Sequence, residues 1–381
     1  MSLGTAEILK TLRDKGPLSR ADLVRATGLS SAGVTKLTAQ MIVDGVLRQS
    51  SAVEEASIGR PPVTLDLQRQ SRFVLGIHLG AGRVSVALSD VGLALRCPRH
   101  LSYDLNEDLE TLIDRVSTLA EEVIDASGVS RRDIVGVGLG VPGSVDPDRR
   151  VNVRSILTGW QDVAFADVFE RKLGLPVVVE HNATAMAMAE ALHGAGRDAE
   201  SILYLLLGKG IGAGFAQTGA GARCGAVEIG HIVVEPGGRS CLCGGQGCLE
   251  RFFSEEPLRK MSGVMGDDHA RMIDAAMQST DWPATYAYLL QALSTTVTLM
   301  APERIVLGGF LNAAPDRFVA SLKRDLAPRV MPQQRERLKI ERSSLSEPVG
   351  VQGAATVALE AFFYNGATTA RPARLHTMKR A

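Results

Sequence analysis

Glu228-Ile-Gly-His231 and, after nine intervening residues, Cys241-Leu-Cys243-Gly-Gly-Gln-Gly-Cys248-Leu-Glu250 form the stretch from which the rest of the chain is read. Three of the five cysteines fall within eight residues. The histidine upstream completes a Cys3His set of the kind that zinc takes in tetrahedral sites. Gly244, Gly245 and Gly247 let the backbone turn back sharply enough to aim Cys243 and Cys248 at one point. The reading is a metal site with His231, Cys241, Cys243 and Cys248 as ligands. Four protein ligands leave no coordination position for an activated water, so the zinc is expected to be structural. Scattered core thiols would not be spaced so compactly, and Cys241 and Cys243 are too close to pair comfortably as a disulfide.

The remaining composition narrows the function classes. A length of 381 residues suggests two or three domains, and 45% hydrophobic with 22% charged residues is the usage of an ordinary folded protein. The 42 basic and 42 acidic side chains cancel. No global field therefore draws the chain to nucleic acid or lipid, and any such binding must be local. The densest apolar run, residues 202–207, has the length of a buried strand and falls far short of a membrane span. With reduced-type cysteine usage and no targeting segment, the cytoplasm is the default expectation.

The first 68 residues read as a separate module. Ile8, Leu9 and Leu12 form a helical stripe stopped by Gly16-Pro17, Ser19 caps a second short helix, and Gly28 makes a tight turn. Ser30 then caps a third helix, with Val34, Leu37, Met41 and Ile42 facing inward. Helix, short glycine turn, helix is the pattern of a helix-turn-helix. Its geometry sends the front of the third helix into the major groove, which makes Ser31, Ala32, Thr35 and Lys36 the groove-facing candidates. A strand beginning at Gly45 and its return over residues 63–67 add a wing, whose tip carries Arg60 between Gly59 and Pro61. Arg60 is placed to enter a minor groove. Residues 1–65 hold eight Lys/Arg against six Asp/Glu, only weakly basic, so strong non-specific DNA affinity is not expected.

From residue 72 onward strands alternate with helices, and two glycine-rich turns near Gly80 and over residues 208–214 recur in successive halves. That recurrence suggests a duplicated α/β unit with a cleft between its lobes. Residues 72–365 and the amino-terminal module together resemble the ROK family (repressors, open reading frames and sugar kinases), and in particular its sugar-responsive transcriptional repressors. The most specific motif for this resemblance is the Gly-His before the cysteines with Cys-x-Cys-Gly-x-x-Gly-Cys-x-Glu after. The resemblance implies a two-lobed actin-like ATPase (ribonuclease-H-like) α/β fold behind a winged helix-turn-helix. The implied domains are 1–68 for DNA binding, 72–182 for the first lobe, completed by the helix over 350–366, and 183–349 for the second lobe with the zinc. It further implies that Glu228, His231 and Glu250 touch a sugar, that operator DNA and a sugar-like effector are the partners, and that the protein is a homodimer or homotetramer.

Departures from the family's kinase pattern argue against phosphoryl transfer. Where such kinases carry an aspartate in Asp-x-Gly-Gly-Thr, this chain has His78, which cannot replace a carboxylate that manages magnesium. Lys209 stands where a threonine hydroxyl sits between the glycines of the second turn. Asn182, in Glu180-His181-Asn182-Ala183, occupies the position of the catalytic aspartate. An amide cannot take a proton from a sugar hydroxyl, and losing a general base costs about 10²–10⁴ in rate. Asn182 can still hydrogen-bond a ligand, or cap the helix that follows it. Ile156 precedes Trp160 at the spacing where the family kinases place a sugar-binding asparagine. The expectation is a non-enzymatic regulator, with an ATP-dependent sugar kinase fused to a DNA-binding domain as the alternative.

Overall fold

The computed structural model describes residues 2–51, 63–146, 150–219 and 222–365. Helix α1 (Leu3–Lys15) buries Ile8, Leu9 and Leu12, as its stripe dictates, and ends at Gly16. A two-residue strand β1 (Leu18–Ser19) leads into α2 (Arg20–Thr27). The Ser19 hydroxyl accepts from the Asp22 amide while the Asp22 carboxylate accepts from the Ser19 amide, a reciprocal cap worth about 1 kcal/mol. Gly28 takes the left-handed conformation between α2 and α3 (Ser31–Val43), and the Ser30 hydroxyl caps α3 by accepting from Gly33. Strands β2 (Leu47–Ser51) and β3 (Val63–Leu67) pair antiparallel, with β1 on the far edge of β3. The strand expected from Gly45 starts at Leu47, because Gly45 has φ +68° and belongs to the turn. This is a winged helix-turn-helix. Arg60 lies outside the described residues.

The body is one plan used twice. In the first lobe, β4 (Phe73–Gly80), β5 (Arg83–Asp90) and β6 (Leu95–Ser102) form an antiparallel meander. Helix α4 (Leu109–Ser127) then leads to β7 (Ile134–Val141), which is parallel to β4. A small sheet of β8 (Ser144–Val145), β9 (Asn152–Arg154) and β10 (Gln161–Val163) precedes α5 (Phe165–Leu173) and β11 (Val177–His181), which is parallel to β7. The order is β11-β7-β4-β5-β6. After α6 (Asn182–His193) the plan repeats with β12 (Ser201–Leu207), β13 (Ile211–Gln217) and β14 (Arg223–Val227). Helices α7 (Glu250–Phe253), α8 (Glu255–Ser262), α9 (His269–Ala276) and α10 (Trp282–Met300) carry the chain to β15 (Arg304–Gly309). Then come α11 (Asp316–Leu326), α12 (Pro332–Arg337), β16 (Lys339–Arg342) and α13 (Val349–Ala358). The second order, β14-β13-β12-β15-β16, repeats the first strand for strand, with the same polarities. This is the two-lobed actin-like ATPase fold. No helix among the described residues is long and apolar enough to cross a membrane.

Two helices of small residues bind the lobes to one another. Helix α6 follows the first sheet but packs on β12 and β13 of the second, while α13 follows the second sheet and packs back on β4 and β7 of the first. Both are apolar nearly all round, and every residue of α13 is buried. Close approach demands glycine: a Cβ on Gly138 of β7 would overlap the Ala354 carbonyl, and one on Gly214 of β13 would overlap that of Ala183. Gly214 is therefore a packing residue inside β13, and the glycine turn expected over 208–214 closes by residue 210.

The amino-terminal module shares its core with the first lobe. Ile8, Leu12 and Leu65 belong to one buried cluster with Val74, Ala358, Leu359 and Tyr364. Arg13 of α1 pairs with Glu360 in the π-helical turn (Leu359–Tyr364) that continues α13, and its guanidinium lies 4.8 Å from the centre of the Tyr364 ring. The Tyr364 hydroxyl donates to the Val91 carbonyl at 2.8 Å. From just beyond α6, Arg197 donates to the Asp14 carbonyl at 3.2 Å.

Candidate ligand cleft and metal centre

Between the lobes opens a cleft of about 1160 Å³, lined from both sides. Its first wall comes from the end of β4 and the β4–β5 turn, which supply His78 and Arg83, and from Arg154 and Ile156. The second comes from the β12–β13 turn with Lys209, and from Glu228, His231 and Glu250. Asn182, at the start of α6, lies where the two meet.

Each group is held for a physical reason. Asn182 is buried, and its amide donates to the Leu79 carbonyl at 2.9 Å, tying α6 to β4. His181, not Asn182, stands at the cap position of α6 and makes no side-chain cap, so the capping role expected of Asn182 is not the one it has. The Asn182 carbonyl oxygen is buried without a partner among the described residues. Such an acceptor costs about 1–3 kcal/mol unless something donates to it. His78 is packed against Gly350 so tightly that a Cβ there would overlap its ring. Burial pushes the imidazole down to about 4, and that of His181 likewise to about 4, so both are neutral near pH 7. Glu250 is oriented by the Ile211 amide, which donates to its carboxylate at 2.8 Å. Glu228 is exposed in the cleft, and Ile156 is 38% exposed there while Trp160 sits in the first-lobe core, stacked near Tyr103.

Beside Glu228 and Glu250 the chain builds a four-ligand cluster. The donor atoms of His231, Cys241, Cys243 and Cys248 all lie within 4.8 Å of one another. His231 Nδ1 is 3.7 Å from Cys241 Sγ, and Cys243 Sγ is 3.7 Å from Cys248 Sγ. For a metal–sulfur bond of about 2.3 Å a tetrahedral edge is close to that length, so the set fits a metal ion. The fold enforces it locally: Val233 bridges to Cys248 and Ser240 to Gln246, and a Cβ on Gly247 would overlap the Glu235 carbonyl. The Gly245 amide donates to Cys243 Sγ at 3.4 Å and lowers that thiol's pKa, which favours the thiolate a metal needs. Burial drives the Cys248 thiol up to about 12.

In the DNA-binding module, Ser31, Ala32, Thr35 and Lys36 are all exposed on α3, on the side away from Val34 and Met41. Sequence reasoning did not anticipate Thr38, wholly buried with its hydroxyl donating to the Val34 carbonyl, nor the presence of Arg83 and Arg154 on the cleft rim. Hairpin register alone brings Arg83 opposite Gly80 and so beside the first turn.

Comparison with known proteins agrees with this anatomy. The profile of the ROK family matches residues 74–361. The xylose repressor of Caldicellulosiruptor bescii is 26% identical over 91% of this chain and 92% of its own. The DNA-binding transcriptional repressor Mlc of Escherichia coli strain K12 is 24% identical over 96% and 94% respectively. The crystal structure of a ROK family transcriptional regulator homologous to E. coli Mlc superposes with a TM-score of 0.77, covering 96% of each chain at 24% identity, a likeness of fold. With the family profile covering most of its length and the two-lobed fold in place behind a winged helix, the chain belongs to the ROK family.

Proposed function

We propose that the protein is a DNA-binding transcriptional repressor of the cytoplasm. In this reading a sugar or sugar derivative in the interlobe cleft sets its operator affinity, and kinase activity has been lost. The observation that carries the reading is the pairing, in one chain, of an exposed recognition-helix face with a ligand cleft whose proton-abstracting position holds Asn182. Full-length similarity to proteins named as repressors supports it. Ser31, Ala32, Thr35 and Lys36 would face the major groove and Arg60 would contact a minor groove, in a homodimer or homotetramer reading paired half-sites. In the cleft Asn182, Glu228, His231 and Glu250 would accept from and donate to ligand hydroxyls. Zinc held by His231, Cys241, Cys243 and Cys248 would fix the loop that aims Glu228 and Glu250, a structural part with no turnover of its own.

Two measurements test this. Purified protein should bind duplexes taken from upstream of its own gene by fluorescence anisotropy, and Lys36→Ala should weaken binding to all of them while reducing the salt slope by about one. Binding no tighter than to random DNA would remove the regulator reading. Incubation with ATP, magnesium and a hexose panel should give no phosphorylated product, since neutral His78 offers no oxygen for the metal and Asn182 no base. Clear turnover would instead establish the kinase alternative.

A further inference from the structure

We infer that the second lobe carries a small-molecule site of its own, apart from the cleft, that takes an amphipathic organic anion: an apolar body of metabolite size bearing one carboxylate or phosphate. The site is a cavity of about 330 Å³ formed by the end of α11, α12 and β16, and it shares no lining residue with the cleft. Its volume falls at the small end of the range usual for ligand pockets, about 300–1,000 Å³. The sequence explains why a recess forms there. Helix α11 ends at Leu326, the chain turns through Pro328, and α12 starts afresh at Pro332 before the strand begins at Lys339. Strand β16 is the outer strand of its sheet, so no described strand pairs with its far edge. Each part of this detour contributes to the lining.

The lining has an apolar floor and a basic rim. Leu326, Val330 and Ile340 are buried and Leu338 is half-buried, whereas Lys323, Arg335 and Lys339 are exposed. The acid of the lining is Glu341, which is paired with Arg304 at 3.2 Å. Even with Glu341 counted in full, the lining keeps two positive charges in excess. Neighbouring acids are already engaged: Asp325, Glu303 and Asp316 are held by Arg324, Arg337 and Arg342, and Asp198 by Arg304. Glu336 lies outside the lining. Among the described residues Lys323, Arg335 and Lys339 have no carboxylate partner, and Arg335 is held in place by the Val330 carbonyl, to which it donates at 3.4 Å.

Strand β16 adds a backbone donor. The Lys339 and Ser343 amides point to β15 and donate to the Glu303 and Leu307 carbonyls, each at 2.9 Å. Alternation along the strand turns the Ile340 amide the other way, to the free edge, and Ile340 lines the cavity. Lysine, arginine and amide donors together suit a carboxylate or phosphate head, and the apolar floor rewards a hydrocarbon body that covers it. A bare inorganic anion would leave that floor wet, an ammonium would meet like charges, and a sugar would leave hydroxyls unpaired against Leu326 and Val330.

Titration calorimetry on the full-length protein, in low-salt buffer free of phosphate and carboxylate, tests the inference. The probes are hexanoate, phenylacetate and phenyl phosphate, set against their neutral counterparts hexanamide, phenylacetamide and phenol, and against acetate and inorganic phosphate. At least one anionic probe should bind with a Kd below about 1 mM, and about tenfold or more tighter than its neutral counterpart and than acetate or inorganic phosphate. The carboxylate and phosphate arms tell which head group is meant. The double variant Lys323→Met/Lys339→Met changes two exposed side chains and should keep its melting temperature while losing about tenfold or more in affinity for that probe. Lys323→Arg/Lys339→Arg should retain the preference. Affinity no greater for any anionic probe than for its neutral counterpart, equal binding of acetate or inorganic phosphate, or full affinity in the methionine double variant would each overturn the inference. These titrations involve no DNA, so their failure leaves the regulator reading to its own test.

Discussion

In the proposed zinc site, replacing Cys248 with serine is expected to abolish metal binding and to lower the melting temperature by roughly 10 °C or more. Cys248 is 1% exposed and is followed by fully buried Leu249, so the ligand cluster is anchored directly in the second-lobe core. Free energies of structural zinc binding reach about 10–16 kcal/mol in small zinc-folded peptides. Here the ligand loop adds only Val234 and Leu249 to the buried residues of a much larger second-lobe core. A loss of about 3–5 kcal/mol, at about 2–4 °C per kcal/mol for a unit of this size, gives the stated shift. Elemental analysis should fall from one zinc per chain to near zero, and a chelator should reproduce the melting shift on the wild type. Zinc retained at full occupancy in the Cys248→Ser protein would show that the four donors do not act as a set. Cys97, outside the cluster, gives the control: Cys97→Ser should leave metal content unchanged.

An equally large effect is expected from a single added methyl group at a residue that lines neither the cleft nor the metal cluster. Gly138→Ala places a Cβ on top of the Ala354 carbonyl, at a contact between backbone and backbone with no flexible side chain to give way. Helix α13 must move off β7 or the sheet must deform. Overpacking of this kind costs about 3 kcal/mol or more. The variant should therefore unfold roughly 10 °C below the wild type in thermal denaturation, or fail to accumulate in soluble form. Gly225→Ala is the matched control: nothing lies within 4 Å of the added Cβ, and the change should be within about 1 kcal/mol of neutral. Equal melting temperatures for the two variants would contradict the close approach of α13 to the first sheet.

The parts of the molecule legible in the sequence are those whose cause is short-range. The cysteine cluster, the helix caps at Ser19 and Ser30 and the Gly28 turn are decided within a few residues, and each forms where its residues direct. Strand β6 escaped because it is a sheet edge, polar on both sides and interrupted by Pro98, and so lacks the alternation that marks a half-buried strand. The reach of the second glycine turn was overestimated because Gly212 and Gly214 resemble turn residues. Gly214 is glycine so that α6 can approach, a tertiary cause with no local signature. The bond that Asn182 makes is equally non-local: a residue suited to capping or to ligand contact donates to Leu79, 103 residues earlier in the chain. The exchange of α6 and α13 between lobes is invisible to periodicity, since both are apolar nearly all round.

That exchange has a mechanical consequence. Helix α6 begins at Asn182 in the cleft and ends near Arg197, which holds the carboxyl end of α1. Helix α13 begins against His78 in the cleft and runs on to Glu360 and Tyr364, which grip Arg13. The two rods touch midway, where a Cβ on Gly353 would be 2.9 Å from the Ala185 backbone. A helix is stiff along its axis, so a sub-ångström displacement at the cleft would arrive at its far end as a displacement of the seat on which α1 rests. In the proposed assembly on two half-sites, a small tilt of that seat would alter the spacing of the recognition helices, and spacing is what a palindromic operator would measure.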